Sequence, residues 1–308
     1  MKQQIQLIDI DYRVDDDQVT VRGFGKTAEE ENVIFYDKEF LPYFYAVPQE
    51  DVEDLKERLE DEEFSQDGEE LPVLDLEVVE KEDVKETKKI VRVTTNIPAN
   101  VPKLKDEIWD FPEVEECREF DIPFYKRYLI DNDIRPAKWI EVEGEKAEND
   151  DFDIALELGD IETGIDQKDE IDWRMMAFDL EVYEGQIIMA SMASEDFRKL
   201  LTTVKIDRDY VEVVEDEEEL LERFIEIITE EDIDILTGYN TDEFDFDVLR
   251  DRVEHYKMTL SLGRDGERMK FNRRGRFAGA RLKGRMHLDL YPFISHVLSP
   301  GLESETLD

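Results

Sequence analysis

Two carboxylates stand two residues apart in the segment MMAFDLEVY (175–183), Asp179 and Glu181. The run is apolar enough to predict a strand, and its period of two puts both side chains on one face. On a largely buried strand such groups repel each other unless a cation sits between them. Oxygen donors of this kind suit magnesium or manganese. The spacing alone selects little, because 83 of the 308 residues are Asp or Glu.

A second group lies in GYNTDEFDF (238–246), where an apolar run gives way to a helical pattern. Asp245, in the first helical turn, can reach back toward the strand carboxylates. Asn240 offers an amide to a hydroxyl or phosphate, and Phe244 offers a face on which a base can stack. The same residue types also build an ordinary strand–helix turn, with Gly238 and Asn240 for the bend, an Asp for capping and a Phe for the core.

These groups need elements to hold them. MMAFDLEVY, IIMASMA and LTTVKI predict three successive strands after Trp173. Residues 216–230 predict an amphipathic helix, with Leu220, Leu221, Phe224, Ile225 and Ile228 at helical spacing and an acidic first turn. A short strand, IDILTGYN, then leads into a helix near 244–257. Upstream, 5–12, 19–24, 33–36, 43–47 and 90–95 predict strands, and 50–60 and 103–110 predict helices. The fold class expected is therefore α/β with α+β: a mixed α+β domain over 1–135, then a mixed β-sheet domain over 173–308. Between Glu141 and Asp172 there are 14 acidic residues and 2 lysines with no clear period. Residues 136–172 are expected to be an acidic linker.

Composition sets limits on all of this. The net charge is −44, from 39 Lys and Arg against 83 Asp and Glu. Such a charge opposes a nucleic-acid partner in dilute salt. At molar salt the Debye length is about 3 Å, so repulsion is screened and surplus carboxylates keep the surface hydrated. The acidic residues are spread along the chain, which favours this high-salt reading over an acidic decoy or chaperone-like protein. One segment departs from the pattern. Residues 263–285 hold nine basic and two acidic side chains, including Arg264, Arg273, Arg274 and Arg276. Phosphate binding explains such an island; a hairpin folded back on acidic neighbours is the competing explanation.

Other classes are excluded or disfavoured. A single Cys117 rules out a disulfide framework and a cysteine zinc site. His255, His287 and His296 lack metal-ligand spacing, and the latter two are expected to be structural or surface groups. No stretch approaches the ~18–20 apolar residues of a membrane span, and the N-terminus alternates like a strand. No membrane partner and a cytoplasmic location are expected.

With these residues in view, the chain resembles the archaeal family B DNA polymerases. FDLEVY resembles their first exonuclease motif and GYNTDEFDF their second. LGRDG (262–266), KGRMHLDLY (283–291) and DIPFYKRYLID (121–131) are similar to further family segments. The matches run in order across nearly the whole chain. The resemblance implies a proofreading 3′–5′ exonuclease on an RNase H-like sheet, using two Mg2+ or Mn2+ ions. Asp179 and Glu181 would hold one ion and Asp179 and Asp245 the other, while Tyr239, Asn240 and Phe244 would position a frayed DNA 3′ end. It also implies a pocket for template uracil in the first domain. The matching residues are Tyr12, Pro42 and Tyr43, Pro98 and Val101, and Ile122, Pro123, Phe124 and Arg127. A tight apolar pocket rejects the extra methyl of thymine, backbone groups read the edge of a flipped base, and Arg127 would hold a flanking phosphate. The partners implied are primer and template DNA, the remainder of a polymerase chain and a sliding clamp.

The family has a Tyr-x3-Asp motif beyond the HLDLY segment, then palm, fingers and thumb. The sequence ends at Asp308, before these, so a truncated polymerase with weak or lost proofreading is expected. Two other readings compete: a non-catalytic single-strand or uracil-binding module with a vestigial nuclease sheet, and an unrelated acidic protein that binds basic partners.

Overall fold

A computed structural model describes residues 1–66, 68–82, 86–166, 171–274 and 277–298. The chain divides into two compact units, Met1–Thr27 with Glu31–Gln167, and Ala28–Glu30 with Lys168–Asp308.

The first unit begins with three strands, β1 (Lys2–Asp15), β2 (Gln18–Lys26) and β3 (Asn32–Asp37). Then follow β4 (Tyr43–Pro48), α1 (Val52–Glu60), the short β5 (Ser65–Gln66) and β6 (Glu69–Glu70), β7 (Val73–Glu82) and β8 (Thr87–Thr95). The unit ends with α2 (Asn100–Trp109), β9 (Val114–Arg118), α3 (Phe124–Asp131), β10 (Trp139–Lys146) and β11 (Ile154–Glu162). Five of these strands close into a barrel in the order β1-β10-β11-β3-β2. Its inward residues, among them Ile5, Val21, Phe35, Ile140 and Leu156, pack with Phe124 and Tyr128 of α3 into one core. A four-stranded sheet, β7-β8-β4-β9, buries a separate core against α1 and α2 through Leu55, Leu59, Leu104 and Ile108. Asp51 caps α1 by accepting from the amides of Glu53 and Asp54.

The expected linker is therefore wrong over 139–162. Trp139, Ile140 and Val142 are buried while Glu143 and Glu145 are exposed, so β10 is a half-buried strand whose outward positions happen to be acidic. The charge hid the alternation.

The second unit opens with β12 (Met175–Tyr183), β13 (Gln186–Ala193), β14 (Arg198–Thr202) and β15 (Val211–Val213). They are followed by α4 (Glu217–Glu230), β16 (Ile235–Gly238), α5 (Asp245–His255), β17 (Lys270–Arg274), β18 (Phe277–Arg281), β19 (Met286–Asp289) and α6 (Leu290–Phe293). The main sheet runs β15-β14-β13-β12-β16-β19. β12 pairs antiparallel with β13 and parallel with β16, which in turn pairs parallel with β19. This mixed sheet has the RNase H-like arrangement. α4 and α5 bury Leu220, Phe224, Phe246 and Leu249 against Met176, Phe178 and Leu180 of β12. Phe178 meets Phe224 and Phe246 edge-on, with ring centroids 5.5 and 5.3 Å apart. Asp216 caps α4 through the amide of Glu219.

Candidate functional site

Alternation along β12 sends Met176, Phe178 and Leu180 into the core and leaves Asp179 and Glu181 on the opposite, exposed face. The strand is thus buried on one side only, rather than largely buried as expected. Solvent on the carboxylate face lowers the cost of holding both charges without a partner.

Asp245 is different. It is the first residue of α5, is 1% exposed, and its Oδ1 accepts the amide of Leu180 at 3.0 Å. Burial first, then the nearby charge of Asp179, pushes its carboxyl up to about 7; the bond from Leu180 opposes the shift and Asp289 adds to it. Near neutrality this carboxyl is held between its charged and protonated forms. A cation shared with Asp179 would favour the charged form. Among the described residues, no group of three or more His, Cys, Asp or Glu side chains is placed to hold a metal ion. The structure therefore brings Asp179 and Asp245 together and does not bring Glu181 into a three-ligand cluster with them.

The turn between β16 and α5 is shaped by close approach. A Cβ on Gly238 would meet the Thr241 methyl at 2.4 Å and the carbonyl oxygen of Phe178 at 2.8 Å, so only glycine fits there. Asn240 has φ +62°, in the left-handed region. Phe244 is 45% exposed, as a stacking platform requires. Tyr239 packs edge-on against Tyr291 at 5.4 Å.

Asp289 is a site residue that sequence reasoning missed. Its Oδ1 accepts the amides of Asn240 at 2.8 Å and Tyr291 at 2.9 Å, and its Oδ2 accepts that of Asp242 at 3.1 Å. The signal available was an Asp at the end of a second short apolar run, HLDL. The parallel register that sets it opposite Gly238 is visible only in the fold.

The basic segment splits. Arg264 does not face outward: its guanidinium is 6% exposed and bridges Asp232 and Asp234. Lys283 pairs with Asp265 and Glu267. Arg285 donates to the carbonyl of Ile233, and burial pushes it down to about 9. Pairing with acidic neighbours thus accounts for Arg264 and Lys283, while Arg285 is buried against a backbone carbonyl. Arg273 and Arg274 lie on β17, opposite Ala278 and Phe277 of a two-stranded hairpin. Arg276 lies outside the described residues.

In the first unit, one cavity of about 300 Å3 is lined by all nine residues singled out above, Tyr12, Pro42, Tyr43, Pro98, Val101, Ile122, Pro123, Phe124 and Arg127. Ala99, Phe120 and Asp121 complete its wall. Tyr12 stands edge-on to Phe124 at 5.2 Å. The Tyr43 hydroxyl donates to Asp131. Burial, then that bond, pushes the phenol well above its usual range. Arg127 is not free for a phosphate as expected: it is 5% exposed, pairs with the Glu119 carboxylate, donates to the Glu119 carbonyl at 3.1 Å and lies over the Tyr43 ring at 4.8 Å. With the Tyr43 hydroxyl and the Arg127 guanidinium engaged internally, apolar side chains and proline rings make up most of the lining, and Asp121 adds a carboxylate to the wall.

An RNase H-like sheet with carboxylates on its central strand defines the class. Residues 115–308 match the family model for DNA polymerase family B, exonuclease domain, and the chain belongs to that family. It is 34% identical over 295 residues to a DNA polymerase of Pyrococcus glycovorans, covering 95% of this chain and 35% of that protein. It is also 34% identical over 312 residues to a DNA polymerase of Desulfurococcus sp. strain Tok, covering 98% of this chain and 36% of that protein. The solved family B DNA polymerase of the hyperthermophilic archaeon Pyrobaculum calidifontis superposes with a TM-score of 0.82 at 25% identity, covering 96% of this chain and 37% of that one. The chain thus spans little more than a third of the length of these relatives.

Proposed function

We propose that this chain carries the proofreading 3′–5′ exonuclease of a replicative DNA polymerase, together with a pocket that senses template uracil. The carrying observation is Asp245, a buried carboxyl pushed up to about 7 by burial and by Asp179, where a divalent cation would relieve the repulsion. Mg2+ or Mn2+ fits this oxygen-donor pair, with Glu181 on the same strand face as the third candidate. When bound, such ions supply charge stabilisation to a phosphodiester and lower the pKa of water. The protein's part is positional: Leu180 fixes the Asp245 carboxylate, and Tyr239, Asn240 and Phe244 present an amide and aromatic faces to an unpaired 3′ end. DNA and the rest of the polymerase chain, with a sliding clamp bound elsewhere on it, are the partners of this reading.

Titration calorimetry with MnCl2 in high salt tests it. The parent is expected to bind, and Asp179→Ala to lose the signal. A parent without any heat of binding would favour the non-catalytic binding module instead.

The pocket reading rests on nine residues from four chain segments meeting at one apolar cavity. The charge of −44 supports a protein that works in a cell interior rich in salt. Circular dichroism along a potassium chloride series should show the fold loosening as salt falls; a flat response would overturn the high-salt reading. Among the described residues no helix is long and apolar enough to cross a membrane.

A further inference from the structure

The strand end next to the nuclease turn holds that turn in an unusually complete way. β19 runs parallel to β16, with His287 opposite Leu236 and Asp289 opposite Gly238. The Asp289 carboxylate takes the amides of both Asn240 and Asp242. Each such bond to an ionised acceptor is stronger than a neutral one. His287, two residues earlier, has a side chain only 3% exposed. Its Nε2 meets the Thr241 hydroxyl at 2.8 Å, its Nδ1 lies 3.3 Å from Asp242 Oδ1, and its ring stands edge-on to Phe246 at 4.7 Å. Asp242 Oδ1 in addition accepts the amide of Ala280 on β18. Every residue from Asn240 to Asp242 is therefore gripped from β19.

The grip has a reason. Asn240 sits at φ +62°, a conformation that a non-glycine residue keeps only when its surroundings hold it. Thr241 is 1% exposed, and its carbonyl accepts the amide of Phe246, so the turn also sets the first turn of α5. Asp179 is fixed independently, by β12. A loosened turn would displace Asn240 and Phe244, while β12 keeps Asp179 in place and the Leu180 amide still anchors Asp245.

We propose that Asp289 and His287 are positioning residues of the nuclease site, which hold the Asn240–Asp242 turn in the shape that receives the 3′ end of a DNA strand. This rests on the exonuclease reading above. They touch neither the reacting phosphate nor the ions; they act through the turn.

The test uses Asp289→Ala, Asp289→Asn, His287→Ala and His287→Gln in this chain. Three readouts are taken: MnCl2 calorimetry, fluorescence anisotropy with a short single-stranded DNA carrying a free 3′ end, and amide exchange at Asn240 and Asp242 by NMR. For Asp289→Ala, DNA affinity should fall about tenfold, the equivalent of one charge-assisted bond, and exchange protection at both amides should be lost. Manganese binding should persist and change less than DNA binding, because β12 still holds Asp179 and the Leu180 amide still holds Asp245, even though the Asp289 charge beside Asp245 is removed. Asp289→Asn retains one acceptor oxygen and should protect one amide and lose less affinity. His287→Gln, with a donor and an acceptor, should restore binding that His287→Ala loses. Should either alanine variant fail to fold, its conservative partner carries the test through the same readouts. Unchanged DNA affinity in variants that have lost the two amide protections overturns the proposal, and so does retained protection. A parent that binds neither manganese nor DNA overturns the exonuclease reading, and this proposal with it.

Discussion

The cavity of the first unit and the carboxylate site of the second solve opposite problems. Two of the cavity's polar groups are already satisfied within the wall. Its arginine is paired with Glu119, the Tyr43 hydroxyl is bonded to Asp131, and apolar side chains and proline rings make up most of its wall. The carboxylate site is incomplete: Asp245 is buried beside Asp179 with its carboxyl pushed up to about 7. A pocket that discriminates by shape works best when its polar groups are already satisfied. A site that binds cations keeps repulsion in reserve.

The sharpest way to break this contrast is Asp245→Asn. Manganese affinity should fall by more than about 100-fold, since a neutral amide replaces one of two paired carboxylates. The metal-free fold should at the same time become more stable at pH 8. The sign follows from linkage. A carboxyl raised in the folded state favours folding while protonated and opposes it once ionised, so its cost grows as pH rises from about 4 to about 7. The full cost is on the order of 2–4 kcal/mol, worth roughly 5–10 °C in Tm. The variant's gain should be small at pH 4 and complete above pH 7, by thermal melting across a pH series. A gain independent of pH would remove the electrostatic explanation.

A second variant works on the cavity. Val101→Phe fills space in it, and should erase an approximately tenfold preference for uracil-containing over thymine-containing single strands. Manganese binding should be unchanged. Equal binding of both strands by the parent would sink the pocket reading outright.

The smallest effect is expected from Glu119→Gln, which releases Arg127 from its ion pair. Single-strand affinity should rise about two- to threefold, and the salt dependence should steepen by about 0.7, the value of one added phosphate contact. An unchanged salt slope would mean that Arg127 stays inside the wall whatever its partner.

What was legible in the residues follows from the same contrast. Asp179 and Asp245 were identifiable because strand alternation and a strand–helix turn place them with simple periodicities. The nine cavity residues came from matching segments, not from periodicity, since no local rule brings Tyr12 to Phe124. Pairings were hidden. Arg264 looked like a DNA contact because its acceptors, Asp232 and Asp234, lie 30 or more residues away in a chain where acids are everywhere. Asp289 was missed for a similar reason: its partners come from the neighbouring strand end. β10 and β11 were lost in charge, their outward glutamates outnumbering the inward Trp139, Ile140 and Leu156.

The barrel's closing seam has a consequence for synthesis. Gln4 donates to Glu141 across 137 residues, and β3 waits for Ile154–Glu157 to supply its parallel neighbour. As the chain leaves the ribosome, β1 to β3 emerge early with two open edges, and the whole β4–β9 sheet must be made before either edge is covered. Pairings this distant form slowly, and uncovered edges invite pairing between chains. The acidic outward positions of β10 and β11 arrive last. Once made, the two strands cover both edges, and their acidic outward faces repel other copies as the barrel seals.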